Sequence, residues 1–124
     1  RDSKHSQDRK TFGQRLIDHQ AYRWELAKMA TNIQGSQSFV DACIMEKVNG
    51  TLDEVTGAMA KYQTTELQIE VVNEALQLHG GYGFMLEYPI STHYLDSRVQ
   101  PIYGGGPNEI MIEIISRRLA KGDS

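Results

Sequence analysis

Two clusters of glycine flank helix ends in this sequence, and they are its best candidates for ligand chemistry. Gly80, Gly81 and Gly83 follow an apolar helical stretch that finishes at Gln77-Leu78-His79. Gly104, Gly105 and Gly106 stand just before Pro107, where a further helix opens. Glycine lets a ligand approach the backbone closely and visits positive φ. A glycine run before a helix N-terminus also presents free N–H groups, which suit an anion such as a phosphate. Neither cluster matches the strand–glycine–helix phosphate signature. On glycines alone, a C-cap and an N-cap beside loops account for both more simply.

The other chemistry-bearing residues are sparse. His5, His19, His79 and His93 lie far apart with no i, i+4 pairing, which argues against a zinc site. His79, beside glycines, suits either a ligand contact or a solvated helix cap. Asp96 and Arg98 read as a structural ion pair. Glu66, Glu70 and Glu74 fall at i, i+4 and i+8, the spacing of a solvated helix edge. Tyr82, Phe84 and Tyr88 can stack on a flat ligand or fill a core. Cys43 is the sole cysteine and has Val40 and Ile44 as helical neighbours, so it reads as a small buried hydrophobe. An internal disulfide is excluded, which points to a reducing compartment.

The elements that must position these groups are helices. Apolar residues at Tyr22, Leu26, Met29, Ala30, Ile33, Val40, Ile44 and Val48 follow the helical period, predicting a long helix from about Asp18 to Val48. Gly35-Ser36 interrupts its middle, a place for a bend or a close neighbour, and Asn49-Gly50 ends it. Thr51, with Glu54 three residues on, has the form of a capping box for a second long helix. Val55, Met59, Tyr62, Ile69, Val72 and Leu76 carry its expected apolar stripe to Leu78. Pro89 suits the first turn of a shorter helix through about Val99, which Pro101 ends. Pro107 opens a last helix to about Ala120, with Ile110, Ile114, Ile115 and Leu119 expected inward. Arg117, Arg118 and Lys121 sit at its C-terminal end, where the helix dipole favours cations.

No useful segment alternates with period two, and no repeat or low-complexity tract is present. The predicted fold is all-α, an up-down four-helix bundle, with residues 1–124 forming one domain. The length of 124 residues suits one domain, and 40% hydrophobic residues suit a packed core. A net charge of −3 gives no support to nucleic-acid binding. No apolar run is long enough to span a bilayer, and the polar N-terminus does not read as a signal peptide. Residues 1–9 read as the tail of an upstream helix.

In their order and wording, several motifs closely resemble the C-terminal helical domain of the flavin-dependent acyl-CoA dehydrogenases. They are Arg9-Lys-Thr-Phe-Gly13, His19-Gln20, Leu26-Ala-Lys-Met-Ala30, Gln77-Leu-His-Gly-Gly-Tyr-Gly-Phe84, Glu87-Tyr-Pro89, Asp96-Ser-Arg98 and Ile102-Tyr103 through Asn108-Glu-Ile110. The last of these looks most like the long-chain branch. The resemblance implies an oxidoreductase in which a base removes the α-proton of a fatty acyl-CoA thioester while the β-hydrogen leaves as hydride to FAD. The product is a trans-2-enoyl-CoA, and the electrons pass to an electron-transfer flavoprotein. It also implies a homo-oligomer, a dimer or tetramer, in which this domain holds the FAD of its own subunit and the adenosine pyrophosphate of a neighbour.

Carried over by motif position, the resemblance gives FAD contacts to Arg9, Thr11, Phe12, His19 and Gln20. It gives the neighbour's pyrophosphate to Gln77, Leu78, His79, Gly80 and Gly81. Gly106, Pro107 and Asn108 would lie beside the flavin ring, and Tyr103, Gly104 and Gly105 near the thioester. Many relatives carry the catalytic glutamate right after the loop tyrosine. Here that position is Gly104, so no catalytic base is expected in this chain. The loop is also one residue longer than in relatives and has lost their threonine. The setting implied is a bacterial cytoplasm or a mitochondrial matrix. A reading from another class is a stand-alone or degenerate helical interaction module without catalysis.

Overall fold

A computed structural model of the protein describes residues 20–77 and 83–122. These form four α-helices and no strand: α1, Gln20–Val48; α2, Glu54–Gln77; α3, Gly83–Val99; and α4, Asn108–Ala120. The expected all-α, four-helix architecture is the one observed. Asp18 and Leu78, expected at helix ends, lie outside the described residues.

α1 turns its Met29, Ile33, Ser36, Val40 and Cys43 inward, spaced alternately by four and three residues. That seam is narrower than the expected stripe: Ala30 and Val48 are exposed. The helix runs unbroken through Gly35, whose surroundings are open. The close neighbour belongs to Ser36, which donates a 2.7 Å hydrogen bond to Gln63 Oε1 on α2. Leaving α1, Asn49 and Gly50 close the last turn, and Gly50 takes φ +73°.

The cap of α2 is not Thr51, as the capping-box pattern suggests. The Thr51 amide and hydroxyl both donate back to the Glu46 carbonyl, finishing α1. Asp53 does the capping. Its carbonyl accepts from the Gly57 amide, and its carboxylate accepts from the amides of Thr56 and Val55. Two acceptor groups two residues apart compete for one role, and the nearer one wins.

α2 is the hub: it packs against each of the other three helices, while α1 also meets α3 and α4 meets α2 alone. One buried face carries Gly57, Ala60, Lys61, Thr64, Leu67, Val71 and Ala75; Ala60, Leu67 and Val71 join the core with α1 and α3, and Gly57 lies under Ile102 and Tyr103. It is built mostly of small residues, so the helices come close. The core cluster joins Val40, Cys43, Leu67, Val71, Leu95 and Val99. Each of its fully buried valines contributes about 1.5–3 kcal/mol.

α4 lies over the second side of α2, with Ile114 and Arg118 near Val55. It runs antiparallel to α2, from Asn108 beside Glu66 to Arg118 beside Asp53. Being short, it covers α2 no further than Glu66. Beyond it the same side of α2 continues with Ile69, Val72 and Leu76 exposed. The expected inward stripe of α2 is thus the second side, where Val55 is buried and Tyr62 half-buried while Met59, Ile69, Val72 and Leu76 are exposed.

α3 begins six residues before Pro89, which sits inside the helix rather than in its first turn. Proline lacks the N–H that would bond the carbonyl four residues back. Thr92, three residues on, donates to the carbonyls of Tyr88 and Pro89, fastening that turn. In α4 the single buried residue is Met111. Ile114 and Ile115 are half-buried, whereas Ile110 and Leu119 face outward. Four apolar residues among the five from Ile110 to Ile114 fix no phase by themselves, and contact with α2 selects Met111.

Candidate functional site

The segment from Gln100 to Pro107, between α3 and α4, is the part of the described structure built to present backbone. Val99 ends α3, and its carbonyl accepts from both the Ile102 and Tyr103 amides at 2.8 and 2.9 Å. This tight turn lays Ile102 and Tyr103 over α2 at Gly57. A Cβ there would meet their side chains at 3.5 and 3.6 Å. Lys47, at the end of α1, donates its Nζ to the Pro101 carbonyl. On the outer side is a cleft of about 410 Å³ lined by Lys47, Leu52, Asp53, Gly57, Ile102 and Tyr103.

The three glycines then differ in what they do. A Cβ on Gly104 would stand 2.7 Å from the Gln100 carbonyl oxygen, so any side chain forces a backbone shift. Gly105 has open space around it. Gly106 has φ +92°, where residues with a Cβ are strained. All three, and Pro107, are exposed. A backbone ribbon without side chains therefore faces outward, directly before a helix.

α4 starts at Pro107 with no side-chain cap. The Ile110 amide folds back to the Pro107 carbonyl at 3.0 Å, and Asn108 donates its Nδ2 to Glu66 Oε2 at 2.8 Å. Glu66 is thus a tether as well as part of a solvated edge. With the Glu66 and Glu109 carboxylates beside it, this helix start suits a neutral, hydrogen-bonding ring better than a phosphate. At the other end of α4, Arg118 grips Asp53 with two bonds of 3.1 and 3.0 Å. The Arg118 guanidinium first, and the Thr56 and Val55 amides after it, hold the Asp53 carboxyl below its ordinary range against a smaller opposing effect of burial.

Of the residues singled out from sequence, Tyr103, Gly104, Gly105, Gly106, Pro107 and Asn108 come together in this one ribbon. Gln77 closes α2, and Gln20 opens α1 as backbone; the side chain of Gln20 lies outside the described residues. Arg9, Thr11, Phe12, His19, Leu78, His79, Gly80 and Gly81 also lie outside them, as do Tyr82 and the Phe84 side chain. Tyr88 is half-buried and packs against the core. His93 meets Gln68 at 3.2 Å. Among the described residues no cluster could hold a metal ion. Cys43 is buried, and burial pushes its thiol up, away from the reactive thiolate.

Asp96 and Arg98 do not pair with each other. Two residues apart, they leave the helix in different directions. Asp96 meets Lys61 of α2 at 3.2 Å, and Arg98 meets Asp41 of α1 at 2.7 Å. Lys61 is a residue that the sequence reading passed over. Its position four after Gly57 and three before Thr64 places it on the buried face, a signal open to anyone who takes that face as the inward one.

In comparisons with known proteins, residues 3–120 match the family described as "Acyl-CoA dehydrogenase, C-terminal domain". The chain is 47% identical over 111 residues to the long-chain specific acyl-CoA dehydrogenase, mitochondrial, of Rattus norvegicus, covering 90% of the chain and 26% of that relative. It is 35% identical over 120 residues to the caffeyl-CoA reductase-Etf complex subunit CarC of Acetobacterium woodii, covering 95% and 31%. It is 30% identical over 118 residues to the cyclohexane-1-carbonyl-CoA dehydrogenase of Geobacter metallireducens, again covering 95% and 31%. The chain thus spans between a quarter and a third of the length of these relatives.

Proposed function

The chain belongs to the acyl-CoA dehydrogenase family, as its C-terminal domain, and we propose that it supplies the helical FAD-facing surface of an enzyme that converts a fatty acyl-CoA thioester to the trans-2-enoyl-CoA. The observation that carries this reading is the exposed ribbon Gly104-Gly105-Gly106 ahead of the uncapped start of α4. A backbone edge without side chains fits a flat, neutral, hydrogen-bonding ring. FAD, when bound, supplies the hydride acceptor of such a reaction.

What the chain's own residues do is bind and orient. Tyr103, Gly104 and Gly105 present backbone toward the thioester, and Gly106, Pro107 and Asn108 border the ring. Arg9 gives a guanidinium fork to phosphate oxygens, with Thr11, Phe12, His19 and Gln20 beside it. Gln77, Leu78, His79, Gly80 and Gly81 reach the pyrophosphate of a neighbouring subunit, which makes the enzyme a homo-oligomer, dimer or tetramer. Gly104 has no side chain to take a proton, so the base that removes the α-proton stands elsewhere in the enzyme, beyond this domain. The word Etf in the name of the caffeyl-CoA relative supports an electron-transfer flavoprotein as partner. The mitochondrial long-chain relatives support a matrix setting over a bacterial cytoplasm. They also favour oxidation over the reductase direction carried by the caffeyl-CoA relative's name.

The test is Arg9→Ala in the complete enzyme. Loss of a charge-assisted bond to pyrophosphate, about 1.5–3 kcal/mol, weakens FAD binding roughly ten- to a hundredfold. Saturating FAD then restores most turnover of fatty acyl-CoA. FAD affinity equal to that of the unsubstituted enzyme refutes the assignment of Arg9. An enzyme that retains no flavin and oxidises no acyl-CoA refutes the reading as a whole and favours a non-catalytic interaction module.

A further inference from the structure

Lys61 is buried between α2 and α3, its side chain 11% exposed, where a cation costs stability unless it is paired and hydrogen-bonded. One acceptor is Asp96 Oδ1 at 3.2 Å, which also receives the Thr65 hydroxyl at 3.4 Å. The other is Gln100. With its amide turned so that oxygen meets donor and nitrogen meets acceptor, Gln100 accepts from Lys61 Nζ at 2.7 Å and donates to the Gly104 carbonyl at 3.2 Å. A buried charge pair is thereby joined, through one amide, to the glycine ribbon. The ribbon is held at three points: Pro101 by Lys47, Gly104 by Gln100, and Asn108 by Glu66. Gln100 holds the middle, at the residue where the chain passes so close to α3 that only glycine fits.

We propose that Gln100, fixed by the Lys61–Asp96 pair, is a positioning residue that sets the path of Gly104 and Gly105 beside the reacting thioester. This rests on the function proposed above. The lysine belongs to α2, the helix that every other element touches, so the ribbon takes its position from the hub of the fold rather than from its own short turn. Burial of Lys61 dehydrates the ammonium and makes its bond to Gln100 directional.

The test uses the flavin-loaded complete enzyme with two variants at an exposed position. Gln100→Leu removes both bonds. Gln100→Glu keeps an acceptor for Lys61 but has no donor for Gly104. The Gly104 bond is common to both losses, so both variants should show amide exchange across residues 102–106 about three- to tenfold faster. In both, kcat should fall about tenfold, with KM for the acyl-CoA within about twofold, because the reacting geometry and not substrate binding is disturbed. Unaltered exchange in Gln100→Leu overturns the proposal. So does faster exchange with native kcat, since the ribbon then plays no part in the reaction. A Gln100→Glu enzyme with native kcat overturns the role of the Gly104 bond. An unsubstituted enzyme with no flavin-dependent turnover removes the functional reading, and the positioning role with it.

Discussion

Met111→Ala is the substitution that weighs the packing of α4 most directly. Met111 is fully buried and is the single buried residue of its helix. Its Cε also lies 3.5 Å from where a Cβ on Gly106 would be, so it supports the ribbon from below. Truncation to alanine removes the side chain beyond Cβ, worth about 2.4 kcal/mol at ~0.8 kcal/mol per methylene-sized group. A residual void of ~50 Å³ adds about 1.2 kcal/mol at ~24 cal/mol per Å³. The expected loss is therefore about 3–4 kcal/mol, read as a shift in the urea midpoint at constant slope. The control is Leu119→Ala, on the same helix and 62% exposed, which should stay within about 0.5 kcal/mol. If Leu119→Ala costs more than Met111→Ala, the helix is rotated from the orientation described, and the stripe of Ile110, Ile114 and Leu119 faces α2 after all.

Acid should act through Asp53. Its folded carboxyl is held below the ordinary range, so its stabilising contribution is present above the unfolded value, about pH 3.9, and is lost as pH falls through the depressed one. In Asp53→Asn the decline of the urea midpoint below about pH 4 should be shallower than in the native protein, and an unchanged profile refutes the coupling. Gly106→Ala should cost roughly 1–3 kcal/mol because φ there is +92°, whereas Gly105→Ala, with open space and no positive φ, should be nearly neutral in thermal unfolding. Equal effects at the two glycines would show that conformation is not what requires Gly106.

The helices were legible because periodicity and stop signals act locally. Val48 before Asn49-Gly50, Val99 before Pro101 and Ala120 end helices where the sequence places the ends. What was not legible depends on contacts between distant residues. The apolar stripe of α2 was read as facing the core, but the small-residue face around Ala60 and Thr64 does so, since close helix approach rewards the lack of volume. The phase of α4 was ambiguous because Ile110, Met111, Ile112 and Ile114 offer an apolar residue at nearly every angle. Asp96 and Arg98 find partners on other helices, which no local pattern discloses. The ribbon at Gly104 was visible as composition. Its distinct steric and φ requirements, and the reach of Lys61 through Gln100, became apparent in three dimensions alone.

Because α4, among the described helices, touches α2 alone while α1, α2 and α3 close on one another, stability is divided unequally along the chain. Detaching α4 breaks the Met111 contact, the Asp53–Arg118 clasp and the Asn108–Glu66 tether, yet leaves the three-helix core intact. The last helix is therefore a unit that can open below the threshold for global unfolding. Its opening would release the glycine ribbon at Asn108 while Gln100 still holds its middle and Lys47 its other end. A ligand seated on that ribbon and on the start of α4 would close this weak point, tying occupancy to the protection of the C-terminal residues against hydrogen exchange and proteases.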